Sequence, residues 1–520
     1  MTARSAVGAG LAEARDARPI QPGERIHVVG AAGAGASAAA LLAHHARAVV
    51  SGCDPGGPSP YTAALSAAGV SLAWRHDPEH VTAGRPDRLA VTKALTAVQA
   101  DHPELRSARS AGIAIEPWQQ VVADAATGRL LIGVAGTHGK STSAGWLVHV
   151  LVRAGTDPSA FVGALLPSQL TGGTPATARW GSGPAFVVEA DEYAGNFDAY
   201  RPAIAIVTSA EWDHPDVFAD RAAVVAAFDT WLRRGAHRAD APPTLIANVA
   251  DEGVAQLAAG LRDWPGQIVA TALLEAPAQR LASFGRGMAG EFGTAIGPAR
   301  VVLGRVAAAS PEGTSLEIHG IDPLTGAIPV RLPTAGRHNA ANALGVAAAA
   351  MTTGLGASAI AEGLASFPGV GRRLERKGEA RGVVVYDDYG HHPTAIHETI
   401  AAIRQREPGR RVWAVYEPLT YHRTAALLEA FASALAEADA VAIADIWAGR
   451  DPDTTVASAA GLAEATARRR PGLTVAAPGS VEVTAAWLAG EVRPGDAVLV
   501  MGGGRSYRIG ELLLEALGAR

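Results

Sequence analysis

One cysteine, Cys53, stands among 520 residues, so the chain has neither an intramolecular disulfide framework nor a cysteine-based zinc cluster. Lysine is nearly as scarce: Lys93, Lys140 and Lys377 are the only lysines among 45 basic residues. Arginine serves wherever a generic positive charge is needed, which marks each remaining lysine for lysine's own chemistry. Excess charge of either sign is also missing. At a formal −5 the chain offers no polybasic surface, which argues against nucleic acid as the main partner. No run approaches the roughly 18 to 20 consecutive apolar residues of a spanning helix, the Ala-rich stretch 31–43 being short and broken by glycine, so no membrane insertion is expected. The first 25 residues carry Glu13, Asp16 and Glu24 and lack the apolar segment of a secretory leader, so a cytoplasmic location is expected.

What is present is ordinary in bulk. With 48% hydrophobic and 18% charged residues the chain is globular, and at roughly 100 to 200 residues per domain its length predicts two to four domains. An apolar run at 25–29, a glycine turn, an Ala/Leu helix and a second strand at 48–53 make a βαβ opening. A strand at 87–91 and a helix at 118–125 follow, and Thr127-Gly128 marks a boundary, giving a first domain at 1–126. Expected strands at 130–135, 160–165, 186–190, 204–208 and 244–249 alternate with helices, the signature of a parallel sheet. A small β-rich section at about 265–333, with strands at 299–303 and 315–318, and a helix at 339–353 complete a domain at 127–370. The α/β rhythm returns at 371–520, with strands at 382–386, 412–416, 440–444, 473–476 and 497–501.

The strongest local signal is GVAGTHGKST at 133–142, between strand 130–135 and a helical run at 144–154. Strand, glycine turn and helix N-terminus together aim backbone N–H groups and the positive end of a helix dipole at phosphate. Lys140 is placed to reach the β/γ-phosphates and Ser141 to sit on Mg²⁺. Five residues separate Gly133 from Gly139, so the spacing is not the strict GxxxxGK[ST]; one of three lysines falling here nevertheless weighs against an ordinary glycine turn.

Next, FVVEADEY at 186–193 runs a buried strand into Glu189, Asp191 and Glu192, and EWDHPD brings Asp213, His214 and Asp216 to the end of the following strand. Carboxylates and imidazole at the C-terminal ends of neighbouring parallel strands suit a second Mg²⁺. Surface charge at loop ends is an equal reading for Glu192, Asp213 and Asp216 taken singly. GRHNAANAL at 336–344 sets Asn339 and Asn342 on one helix face, and RRLE at 372–375 is a weak signal alone. DDYGHHPTAI at 387–396 is stronger: two carboxylates and two histidines end a strand, with Pro393 opening a helix. GAAGAG at 30–35, with Asp54 about 20 residues on, resembles a dinucleotide fingerprint, but Gly30, Gly33 and Gly35 give GxxGxG where GxGxxG is usual. A diphosphate-bearing ligand fits; a nicotinamide cofactor is not demanded, and the phosphate loop argues against an oxidoreductase.

The order GxxGxG, GTHGKST, EADE, DH, GRHNxxN, RR, DDYGHHP resembles the Mur ligase family over essentially the whole chain from Arg25. The resemblance implies an α/β protein of three domains: a Rossmann-like UDP-sugar-binding domain, a central P-loop ATPase-type parallel-sheet domain, and a Rossmann-like C-terminal domain that brings the amino acid. It implies ligase chemistry with ATP and Mg²⁺, in which a muramate carboxylate is phosphorylated and an amine then displaces phosphate. By the same carry-over Lys140, Glu189 and His214 are catalytic, with Ser141, Glu189 and His214 on metal. Gly136, Thr137, His138, Gly139, Lys140, Ser141, Thr142, His338, Asn339, Asn342, Arg373 and Asp388 bind ATP. Gly30, Gly33, Gly35, Asp54 and His76 hold the UDP-sugar, and His391, His392 and Arg423 meet the amino acid.

Within the family, several branches that add later residues carry a carbamoylated lysine in the central domain. The absence of lysine between Lys140 and Lys377 therefore points to the branch joining L-alanine to UDP-N-acetylmuramate. ADEY and DHPDVF look more like the branch attaching a recycled tripeptide, which is the alternative. Two departures stand out: where the L-alanine-adding branch resembles QPHRYTRT, this chain reads EPLTYHRT at 417–424, keeping Arg423 but with Thr420 in place of the first arginine, and Arg505 replaces a common acidic residue.

Overall fold

The computed structural model describes residues 7–99, 101–235, 242–274, 300–322, 326–449, 451 and 453–518. They form three sheets in succession. The first is built of β1 (Arg25–Val29), β2 (Val49–Cys53), β3 (Ser71–Ala73), β4 (Arg88–Val91) and β5 (Ala114–Pro117). Its order is β3-β2-β1-β4-β5 and every pairing is parallel. Chain order reverses between β1 and β4, so the crevice beyond the carboxyl end of β1, where the glycine turn lies, is the position at which such sheets take ligands.

The second sheet contains β6 (Leu130–Ala135), β7 (Ser159–Leu166), β8 (Ala176–Arg179), β9 (Ala185–Glu189), β10 (Ile204–Val207), β11 (Thr244–Asn248), β12 (Gln267–Leu274), β13 (Arg300–Ser310), β14 (Gly313–His319) and β15 (Ile328–Leu332). The order is β15-β14-β13-β12-β11-β10-β6-β9-β7-β8. Its middle is parallel, as the buried runs predict: β9 and β10 are buried at every residue because helices cover both faces. Its edges are not. β8 pairs antiparallel with β7, and β13-β14-β15 is an antiparallel meander. The physical reason is legible in β15, where Ile328, Val330 and Leu332 are buried and Pro329 and Arg331 exposed, the period-2 pattern of a strand with one wet face. Residues 275–299 of the expected β-rich section, including the first residue of the strand expected at 299–303, lie outside the described residues.

The third sheet, β16 (Glu375–Ala380), β17 (Val383–Asp388), β18 (Arg411–Glu417), β19 (Ala440–Ala444), β20 (Thr474–Gly479) and β21 (Asp496–Gly502), has the order β16-β17-β21-β18-β19-β20. It is parallel apart from β16, an unexpected antiparallel edge whose mixed composition leaves no buried residue.

The helix expected at 144–154 spans Lys140–Arg153. Its start lies earlier because Gly139, at φ 79°, ends the turn in the left-handed region, which puts Lys140, Ser141 and Thr142 in the first helical turn. Trp146 of this helix is fully buried and stacks on Phe367, ring centroids 4.6 Å apart. The helix Arg337–Thr352, expected at 339–353, carries a buried run of alanines at 347–350, small enough for close approach to its neighbours. Among the described residues no helix is long and apolar enough to cross a membrane.

Candidate active site

The three loops read as chemical in the central domain follow β6, β9 and β10, and the sheet order β10-β6-β9 makes these strands neighbours. GTHGKS, EADE and EWDH therefore converge at one edge. They floor a cavity of about 1340 Å³ whose walls include Gly35, Tyr61 and Trp118 from the first domain and Arg372, Arg373, Asp388, His391 and His392 from the third.

The phosphate loop is held by its neighbours. The Thr137 amide donates to Ser209 O (3.0 Å), the His138 amide to Ser209 Oγ (2.9 Å), and the Thr208 hydroxyl to His138 O. Glycine is obligatory at two places: a Cβ on Gly136 would lie 2.1 Å from Thr208 Oγ1, and one on Gly139 would lie 2.4 Å from Asn342 Oδ1. Asn342 belongs to the helix Arg337–Thr352, so the loop and the 336–344 motif are fitted to one another. The Lys140 ammonium lies 2.8 Å from Glu192 and 3.4 Å from Asp191. Burial disfavours its charge, but these two carboxylates outweigh burial and raise its pKa. Burial pushes the Glu192 carboxyl up, while Asp191 beside Lys140 is held down.

Ser141 Oγ donates to Glu189 Oε1 (2.9 Å), and Glu189 Oε2 accepts from the Gly163 amide (2.5 Å). Hydroxyl and carboxylate oxygens side by side are the donors a hard cation such as Mg²⁺ takes. Asp191, Glu192 and His214 form a second group whose ligand atoms lie within 4.8 Å of one another. The sequence set Glu189 with His214; the structure brings Glu189 to Ser141, and His214 to Asp191 and Glu192.

The third domain closes the other side. Arg373 Nη2 donates to Ser141 Oγ (2.8 Å), reaching across to the phosphate loop. Asp388 accepts from the Leu374 amide (2.8 Å) and the Gly390 amide (2.7 Å), so its carboxylate shapes the turn that presents Arg373. Arg423 pairs with Asp213 (2.8 Å) and donates to His214 Nδ1 (3.0 Å). Burial opposes the ionisation of Asp213, yet His214 and Arg423 hold it well below the usual carboxylate range. His392 Nε2 lies 3.2 Å from Trp212 O, and burial with His138 nearby lowers its pKa to about 4, so the ring is neutral at pH 7. Burial drives His391 down as well. His214, Arg372, Leu374 and Thr420 all adopt positive φ, a concentration of backbone strain at the junction.

Not every expected residue faces this cavity. His338, Asn339 and Asn342 line it, as do Thr137 to Thr142, Glu189 and His214. In the first domain Gly35 lines it, and a Cβ there would lie 2.2 Å from the Trp118 ring. Gly30 and Gly33 sit in the turn itself, and Asp54, just past the end of β2, reaches it with a carboxylate that accepts from the Ala32 amide (3.1 Å). His76 lies elsewhere, its Nδ1 3.2 Å from Cys53 Sγ. Thr420 is buried and Arg505 pairs with Glu482 at the surface (3.0 Å), so neither departure lines the cavity.

Sequence reasoning missed Glu211, Arg372 and Tyr61. Glu211 accepts from Thr394 Oγ1 (2.6 Å) and lies 3.7 Å from His138 and 3.9 Å from His392, joining the central and third domains. Arg372 meets Asp387 (3.1 Å), Gly502 O (2.9 Å) and Ser506 Oγ (2.8 Å). Its signal was present, since Arg372 and Arg373 are adjacent, but adjacency does not say which arginine faces the loop. Tyr61, which lines the cavity with Arg372, stands in a turn with no motif to mark it.

Residues 25–129 match the catalytic domain of the Mur ligase family, 134–350 its middle domain and 372–504 its glutamate ligase domain. The chain is 36% identical over 493 residues to UDP-N-acetylmuramate–L-alanine ligase of Roseiflexus castenholzii, covering 95% of this chain and 97% of that one. It is 36% identical over 505 residues to the enzyme of the same name from Kineococcus radiotolerans, covering 95% and 97%. Among solved structures, UDP-N-acetylmuramate-alanine ligase from Thermotoga maritima aligns with a TM-score of 0.71 at 20% identity, covering 94% of this chain and 98% of that one. A murein peptide ligase from Psychrobacter arcticus aligns at 0.69 and 24% identity, covering 96% and 99%; both likenesses concern the fold. With three domain matches in order and relatives alike over nearly the whole length, this chain belongs to the Mur ligase family.

Proposed function

We propose that the protein is an ATP-dependent amide ligase that joins L-alanine to UDP-N-acetylmuramate through an acyl phosphate. The observation that carries this reading is full-length similarity at 36% identity to ligases named for that reaction. The relatives favour L-alanine over the recycled tripeptide. The cavity agrees with a reaction of three substrates, because each domain contributes a wall.

In this reading ATP lies on the loop Gly136–Thr142, with Lys140 at its β/γ-phosphates and Arg373 reaching in from the third domain. Phosphoryl transfer needs charge neutralised as it moves, and positively charged groups fixed before reaction stabilise that charge without reorganising. Ser141 and Glu189 would hold one Mg²⁺, and His214 with the 191–192 carboxylates a second; bound there, the cation supplies further neutralisation of phosphate charge. The UDP moiety lies on the glycine turn after β1, near Asp54. His391 and His392 border the side from which the amine arrives, backed by Arg423 on Asp213 and His214. His392 uses both ring nitrogens on Trp212 O and the Thr394 amide, whereas His391, with Nδ1 on Tyr389 O, keeps Nε2 as the proton acceptor.

Phosphate release from ATP with UDP-N-acetylmuramate, measured separately with L-alanine, glycine, L-serine and the L-Ala-γ-D-Glu-diamino-acid tripeptide, tests the proposal. Release dependent on L-alanine is expected. Release with the tripeptide alone would transfer the protein to the recycling reaction, and none with any amine would remove the ligase reading.

A further inference from the structure

The first domain contains a cluster of metal-binding side chains away from the ATP loop. Its members come from four elements: His27 from β1, Cys53 from the end of β2, His80 from the short helix Glu79–Thr82 and Glu104 from the helix Pro103–Ser110. Their ligand atoms all lie within 4.8 Å of one another. His27, Cys53 and Glu104 are buried, Cys53 and Glu104 completely.

Among His27, Cys53 and Glu104 the separations are those of a coordination shell. Zinc bonds of about 2.0–2.3 Å in a tetrahedron set neighbouring ligand atoms roughly 3.3–3.8 Å apart. Here His27 Nε2 lies 3.4 Å from Cys53 Sγ, Cys53 Sγ 3.3 Å from Glu104 Oε2, and His27 Nε2 3.6 Å from Glu104 Oε2. His80 Nδ1 is 2.9 Å from Glu104 Oε1, an edge that must open on metal binding.

The surroundings also suit a cation. His27 Nδ1 lies 2.8 Å from Ser51 Oγ, a partner that can take the ring proton and leave the Nε2 lone pair facing the cluster. Glu104 accepts from the Asp77 amide (2.8 Å), which fixes its orientation. Among the described residues its ion-pair partners are His27, His76 and His80, with no lysine or arginine. His76 Nδ1, 3.2 Å from Cys53 Sγ, is a spare donor. Against it stands His102, completely buried, with both ring nitrogens lacking a hydrogen-bond partner and its ring 4.3 Å from that of His76. That is more imidazole than a hydrogen-bonded core needs.

We propose that His27, Cys53, His80 and Glu104 bind one zinc ion, or a transition-metal ion of similar size, as a structural clasp in the first domain. A single cysteine rules out a cluster of cysteines and leaves a mixed set open. Thiolate, imidazole and carboxylate suit zinc and would be a poor set for Mg²⁺. Thiolate and carboxylate together match the ion's two charges, the thiol proton leaving to solvent on binding. The clasp would act on the ligand turn, because Cys53 O accepts from the amides of Gly30 (2.9 Å) and Ala31 (3.0 Å).

The full chain, free of any affinity tag, is loaded with zinc, freed of loose metal on a desalting column and assayed for metal by mass spectrometry. About one zinc per chain is expected, with at least a tenfold weaker hold in His80→Ala. Loaded with Co²⁺ instead, the protein is expected to show the near-ultraviolet thiolate-to-cobalt charge-transfer band, absent from Cys53→Ser. Failure of the wild-type chain to retain zinc, cobalt bound without the thiolate band, or equal retention by Cys53→Ser would each overturn the proposal. Should the variants not fold, the wild-type cobalt spectrum decides alone.

Discussion

Glu417 shows how a single buried carboxyl ties stability to pH. It is 3% exposed at the end of β18, and its Oε2 accepts from the Ser506 amide (2.7 Å). Burial pushes its pKa up from 4.5 to about 7. The folded state therefore holds this proton more tightly than the unfolded chain. Its contribution is fully present below about pH 4.5 and is lost as pH rises through 7, on the order of 3 kcal/mol at most. Asp387, raised by burial to about 6, acts in the same direction. Urea unfolding of Glu417→Gln is expected to show a shallower fall in stability between about pH 5 and 7.5 than the parent; equal slopes would refute the assignment. At Lys140 the expected consequence is catalytic: Lys140→Ala should lower kcat by at least about 10²-fold, the scale of one lost electrostatic contact. UDP-sugar affinity by calorimetry should barely change, since the proposed sugar site is the glycine turn of the first domain; unchanged turnover would exclude the phosphate-loop role. His214→Ala should raise the Mg²⁺ concentration giving half-maximal rate, and a normal Mg²⁺ titration would remove His214 from the metal.

At the scale of elements, the phosphate loop depends on a fit between two helices and a strand end. Gly139 needs φ 79° and a bare Cα because Asn342 Oδ1 occupies the space a Cβ would take. Gly139→Ala should cost about 1–3 kcal/mol in thermal unfolding and most of the ATP-dependent turnover, whereas Gly155→Ala, a positive-φ glycine with open space around it, should cost less stability and little turnover. Equal losses of turnover would show that the Asn342 contact is unimportant. This element also shows what can be read from one dimension. The strand 130–135 matches its expected bounds to the residue, because a short apolar run ending at a glycine turn is a local signal. The helix start at Lys140 was missed by four residues, because turn geometry, more than apolar periodicity, decides it. Antiparallel β8 and β16 escaped notice because neither carries an apolar run: β8 is the four residues ATAR, and β16 has no buried residue.

On the scale of the whole molecule, the first and central domains share a continuous apolar core, in which the Trp118 and Phe161 ring centroids lie 5.3 Å apart, and polar contacts link the domains as well. Lys93 Nζ donates to Ala194 O (2.8 Å) and Gln119 Nε2 to Asn196 Oδ1 (2.7 Å) between the first and central domains. Arg423–Asp213, Arg373–Ser141 and Thr394–Glu211 join the central and third. Asp213 is 4% exposed, and removing one partner of a buried pair leaves an uncompensated charge at a cost of about 3–5 kcal/mol. A hinged protein can avoid that cost by opening and letting Asp213 meet water. Arg423→Ala is accordingly expected to enlarge the radius of gyration in solution scattering and to lower kcat/KM at least tenfold, with little change in unfolding temperature. An unchanged radius with a large fall in unfolding temperature would mean that the pair stabilises the fold and not the closed state.

The sequence by itself determined the chemistry on offer: which loop sets glycines before a lysine and a serine, where carboxylates and imidazoles end strands, and the alternation that makes the sheets mainly parallel. These are properties of residue type and short spacing, and they survive without coordinates. Only the tertiary structure decided which groups meet. Strand order β10-β6-β9 set three distant loops side by side, and domain packing chose Arg373 over Arg372 for Ser141 and drew Glu211 between His138 and His392. It also set the His76 ring beside Cys53, the residue before Asp54, because β2 pairs with β3 and the segment after β3 returns to that corner of the first sheet. Such meetings depend on crossover connections and side-chain direction over separations of tens to hundreds of residues, for which local pattern has no counterpart.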